Sequence, residues 1–117
     1  LQRGRQRAEE REAQALLAAA QARKDSAANE LLAQLGEQWA ALAAARHIES
    51  LTRTRLLPQA SLTLQAALAG YETGQVDFAT VLDALRQNRE AQLKLIDTRT
   101  EARIRVAEIE RLLGERP

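Results

Sequence analysis

Tyr71-Glu72-Thr73-Gly74-Gln75-Val76-Asp77 is the one break in a chain that otherwise reads as helix from end to end. About seventy residues rich in Ala, Leu, Gln, Glu and Arg precede it and about forty more follow, all of them strong helix formers. Gly74 can take the left-handed backbone that ends a helix without a Cβ clash. Asp77 can then cap the next helix by accepting a hydrogen bond from a free amide of its first turn. So short a connection sends the second helix back beside the first. The expected fold is all-α: a long antiparallel αα-hairpin of coiled-coil character, helical over about 2–73, turning over about 74–76 and helical again over about 77–113.

The apolar spacing supports helices and shifts along their length. Ala28, Leu32, Leu35, Trp39 and Leu42 repeat at four and three, the pattern of a coiled-coil seam. Register is lost at Arg46 and resumes through Leu57, Ser61, Leu64, Leu68 and Tyr71. In the second helix Phe78, Leu82 and Leu85 form one seam, and Ala102, Val106, Ile109 and Leu113 another. Pro58 lacks an amide donor and its ring crowds the carbonyl of Thr54, so a kink is expected there; a new helix beginning at Pro58 after a loop is the alternative. The first helix, about twice as long as the second, would overhang its partner and leave Leu16, Leu17, Leu31 and Leu32 uncovered. Neighbouring chains then cover them by self-association, or the chain folds back near Gly36 or Pro58 into three helices.

Composition removes several classes of function. The 117 residues carry 17 basic and 16 acidic groups, a net charge near +1, so nothing draws the chain as a whole to nucleic acid or anionic membrane. Three aromatics, Trp39, Tyr71 and Phe78, are too few for a base-stacking surface. Cys is absent, which excludes disulfides and thiolate metal sites. His47 stands alone and reads as a solvated surface residue rather than a metal ligand. Ser26, Ser50 and Ser61 have no base nearby, so no catalytic set is visible and neither an enzyme nor a cofactor is expected. The apolar runs Ala15–Ala20 and Ala40–Ala45 are far shorter than the roughly 18 residues of a membrane-spanning helix. A chain opening on Leu1 within a helix-forming stretch is expected to be a single segment excised from something larger.

Leu57-Pro58-Gln59-Ala60, Tyr71-Glu72-Thr73-Gly74, Phe78-Ala79-Thr80-Val81-Leu82-Asp83-Ala84 and Leu112-Leu113-Gly114 follow one another in an order that carries a likeness. From about Arg55 to Gly114 the chain resembles the TolC-type outer-membrane efflux protein family, and within it the second helical hairpin of the internal repeat. The resemblance implies a homotrimer whose periplasmic α-barrel hangs from an outer-membrane β-barrel in a bacterium. Its hairpin tips dock the periplasmic adaptor protein of a tripartite pump, which also has an inner-membrane pump component. Gly74, Val81 and Leu82 fall on the adaptor-contact motif. Tyr71 falls on a tyrosine that ties neighbouring coiled coils together in the closed state. Asp83 falls on one of two inward-facing acids at the pore constriction; the other position holds Thr80, and a basic turn residue of some members is replaced by Val76. Two alternatives remain open: the hairpin of the adaptor protein itself, which usually has helices of equal length, and a cytoplasmic coiled-coil scaffold with no role in transport.

Overall fold

In a computed structural model that describes residues 1–114, helix α1 spans Gln2–Leu51, a π-helical turn spans Thr52–Leu56, α2 spans Leu57–Glu72 and α3 spans Phe78–Leu112. There is no strand among the described residues. The helix ends fall within one residue of those expected from sequence. Helix formation continues past Pro58. The irregularity stands just before it, where the Leu57 amide bonds the Thr52 carbonyl five residues back. No helix among the described residues is long and apolar enough to cross a membrane.

The chain divides into two compact units, Leu1–Glu37 and the residues from Gln38 onward. In the first, every residue is exposed except the half-buried Leu35, and Leu16, Leu17, Leu31 and Leu32 all face solvent. The second holds the core, with α2 and the π-turn packed along α3 as a helical hairpin. Ala67 packs with Val81 and Ala84, and Leu64 leans on the cluster. Farther from the turn, Arg99 binds Glu49 at 3.0 Å, and Arg105 reaches Gln38 at 3.1 Å.

The buried rows match the expected seams in part: Leu42 and Ile109 are buried as read, and Ala102 and Val106 are half-buried. In the first arm they run through Leu42, Ala45, Thr52, Ala60 and Ala67, with Leu57 and Leu64 half-buried. In α3 they run through Val81, Ala84, Asn88, Ala91, Thr98 and Ile109. Ser61 is half-buried, while Leu68, Phe78, Leu82 and Leu85 are exposed. The expectation put the largest apolar side chains inside. Near the turn the structure buries Ala60, Ala67, Val81 and Ala84, small enough for two helix backbones to approach closely, and leaves the larger Leu68, Phe78, Leu82 and Leu85 on the outer faces. Two polar members of the α3 row are satisfied locally. The Thr98 hydroxyl donates to the carbonyls of Lys94 and Leu95, and Asn88 accepts from Gln92 at 3.0 Å.

Candidate functional site

The reversal is built from the last turn of α2 outward. Gly74 has φ +73°, the left-handed backbone that glycine takes without strain. Its amide bonds the Tyr71 carbonyl at 3.1 Å, and the next amide, Gln75, bonds the Gly70 carbonyl at 2.7 Å. That pair of bonds is the Schellman closure of a helix C-terminus. Val76 adds a second amide to the Gly70 carbonyl at 3.2 Å, and the Thr73 hydroxyl donates to the carbonyls of Ala69 and Gly70. Most of the carbonyls that α2 would leave open at its end are thus taken up inside the turn.

Gly70 matters more than its sequence position suggested. A Cβ placed there would lie 3.1 Å from a Val76 methyl, so the absent side chain makes room for the returning chain. No residue pattern marks this in advance, because the contact exists only once the turn has closed.

Asp77 caps α3 as expected: its carboxylate accepts from the Thr80 amide at 3.0 Å and from the Thr80 hydroxyl at 2.7 Å. The hydroxyl bond first, and the amide bond second, hold the Asp77 carboxyl below its ordinary value of about 4. A depressed carboxylate contributes stability that is fully present above the unfolded value and is lost as pH falls through the folded one. Below about pH 4 the Thr80 amide is therefore expected to lose protection relative to its intrinsic exchange rate at the same pH, by hydrogen-exchange NMR. Asp77→Asn, which can still cap but does not titrate there, should remove that acid dependence.

The residues singled out by the resemblance take up different situations. Gly74 and Tyr71 are exposed, and the Tyr71 ring tilts against Phe78 with centroids 5.8 Å apart. Val81 is buried against Ala67 inside the hairpin, so its side chain is already occupied. Leu82, the next residue, is 37% exposed and turns to the outer face with Phe78 and Leu85. Asp83 lies at the rim of a shallow groove of about 370 Å³ lined by Thr63, Ala66, Val76, Thr80 and Gln87. Its only ion pair among the described residues is with Arg86 at 3.7 Å, and both side chains are well exposed, so the pair adds little. Thr80 is engaged twice by Asp77 and Val76 is packed on Gly70.

One charge feature was legible in the sequence and not drawn from it. From residue 56 to residue 85 the chain carries Glu72, Asp77 and Asp83 and has no Lys, Arg or His. These residues form the whole tip. It is two-sided, with an apolar and aromatic face through Leu68, Tyr71, Phe78, Leu82 and Leu85 and a groove of mixed polar and apolar lining that includes Asp83. Compared with protein-family models, with curated proteins and with solved structures, the chain finds no significant match.

Proposed function

We propose that the chain is the periplasmic hairpin of a TolC-type outer-membrane efflux channel, and that its tip docks the pump's adaptor protein and helps gate export. In this reading the hairpin is antiparallel, its first arm is about twice the second, and it bends at the π-turn and Pro58. Residue numbers rise on one arm as they fall on the other through Gln38–Arg105, Glu49–Arg99 and Ala67–Ala84, which supports that arrangement. Away from the tip, the large apolar side chains on the outer faces are covered by neighbouring copies, three in the assembled channel, and by self-association of the isolated segment.

The observation that carries the reading is the tip. Its backbone groups are largely spent on its own closure, its aromatic and leucine side chains are left outward, and its only charges are carboxylates. A surface of that kind fits a partner turn that offers an apolar contact flanked by cations, and such a contact weakens as ionic strength rises. Leu82 and Tyr71 are the side chains placed to make it, and Gly74 lets the partner approach. Asp83, repeated by symmetry round a pore, would draw in cations. Val81 supports the tip from inside.

Leu82→Ala in the parent protein tests this. The exposed face loses an apolar contact of about 1 kcal/mol, so adaptor affinity should fall about fivefold. Site-specific crosslinking between tip and adaptor should fall with it, and so should export, while trimer assembly is unchanged. Crosslinking and export at the native level would reject tip docking. Recovery of the parent in the cytoplasm rather than the outer membrane would favour the scaffold reading.

A further inference from the structure

The buried row on the first arm carries one residue too many. From Leu42 it runs through Ala45, the half-buried Glu49 and Thr52 to the half-buried Leu57, Ala60, the half-buried Leu64 and Ala67, so its steps are three, four, three, five, three, four and three. The row on α3 runs Val81, Ala84, Asn88, Ala91, Leu95, Thr98 and Ala102, alternating three and four without interruption. Two helices packed side by side keep their rows facing only while both alternate in this way. A surplus residue in one of them would rotate everything beyond it by about 100°, one residue's share of an α-helical turn. Leu57, Ala60, Leu64 and Ala67 would then leave the surface of α3. They do not, because the five-residue step coincides with the π-turn Thr52–Leu56, whose closing bond spans five residues rather than four.

Pro58 stands immediately after this turn. It has no amide, and in an unbroken α-helix its ring would press on the Thr54 carbonyl. A widened turn just ahead of it is where the helix needs one fewer α-type bond. The Thr54 hydroxyl, bonded to the Ser50 carbonyl at 2.6 Å, supports the turn from outside. Thr52, at the start of the step, is 2% exposed and faces α3, whereas Arg53, Thr54 and Arg55 are exposed, so the surplus is carried on the solvent side.

We infer that Thr52–Leu56 is a one-residue register skip, pinned by Pro58, that sets the rotational phase of α2 against α3. It decides which side chains of the tip are buried and which face outward. Without it Ala66 and Ala69 would turn onto α3, and Ala67 and Gly70 would rotate outward to the places of Leu68 and Tyr71. This inference does not depend on the transport function.

Deletion in the full 117-residue chain tests it, in a Pro58→Ala background so that no proline falls inside the restored helix. Removing Thr54 should convert the turn to α-helix and leave both rows in phase, with a melting temperature within about 4 °C of the Pro58→Ala chain or above it. Removing the exposed Arg89 from α3, whose row has no surplus residue, should lower melting by more than about 10 °C or abolish the cooperative transition. Equal losses from the two deletions would overturn the register skip. Hydrogen exchange of Pro58→Ala without a deletion tests the pin. Fast-exchanging amides should be confined to the π-turn in the native chain and spread along the neighbouring helix in the variant. If they stay confined in both, Pro58 does not hold the skip in place.

Discussion

Ala84→Leu is expected to lower the melting temperature of the chain by roughly 10 °C or more, the largest effect of any single substitution at the tip. Ala84 is 3% exposed and packs with Ala67 and Val81, where the two helices meet through two alanines and a valine. Three further carbon atoms have nowhere to go except by moving α2 away from α3. Overpacking of this kind costs about 1–3 kcal/mol, and each kcal/mol shifts melting by about 4–8 °C in a domain of this size. Leu85→Ala is the control, because Leu85 is half exposed on the outer face and leaves the interface untouched. Far-UV circular dichroism melts of both variants provide the measurement. A Leu85→Ala loss as large as that of Ala84→Leu would show that the outer row, not the alanine row, holds the hairpin together.

The second large effect is expected at Gly74. Nothing lies within 4 Å of a Cβ placed there, so space does not restrict the position. The backbone does, because φ is +73° and a side chain in the left-handed region costs about 1–2 kcal/mol. Gly74→Asn should therefore be nearly silent, since asparagine visits that region. Gly74→Leu should lose about 1–2 kcal/mol, and Gly74→Val, being β-branched, should lose most. Thermal melts of the three variants check the order. The consequence for docking is practical. Gly74→Leu perturbs the turn as well as its surroundings, so a transport defect in that variant does not by itself report on a partner. Leu82→Ala is the cleaner probe.

The course of the fold was readable because the signals were local. Gly74 and Asp77 act through backbone preference and a hydrogen bond to a neighbour three residues on, and both act as read. The choice of face was less readable. Leu68 and Ala67 are adjacent, as are Leu82 and Val81, and each pair offers an apolar residue to two different sides of one helix. Which side meets α3 depends on how closely the backbones approach, a property of the pair of helices rather than of either sequence. The same limit explains Pro58. A proline predicts a disturbed helix, but its form as a π-turn depends on the surplus residue, visible only once the buried row is known. At the tip, Leu82 and Tyr71 are exposed, while Val81 turns inward. Gly70 carried no warning at all.

The absence of cations from the tip also changes how the tip can be observed. Trypsin cuts after lysine and arginine, and the bonds on either side of the reversal that it can reach are those following Arg55 and Arg86. Both strands of the reversal therefore leave a digest as one peptide, Leu56–Arg86, with Gly74 near its middle. A crosslink within the tip leaves that peptide whole and alters its mass only by the linker. A crosslink to anything else adds a foreign peptide to it. One mass-spectrometric signal thus separates a tip that has met a partner from one that has only met itself.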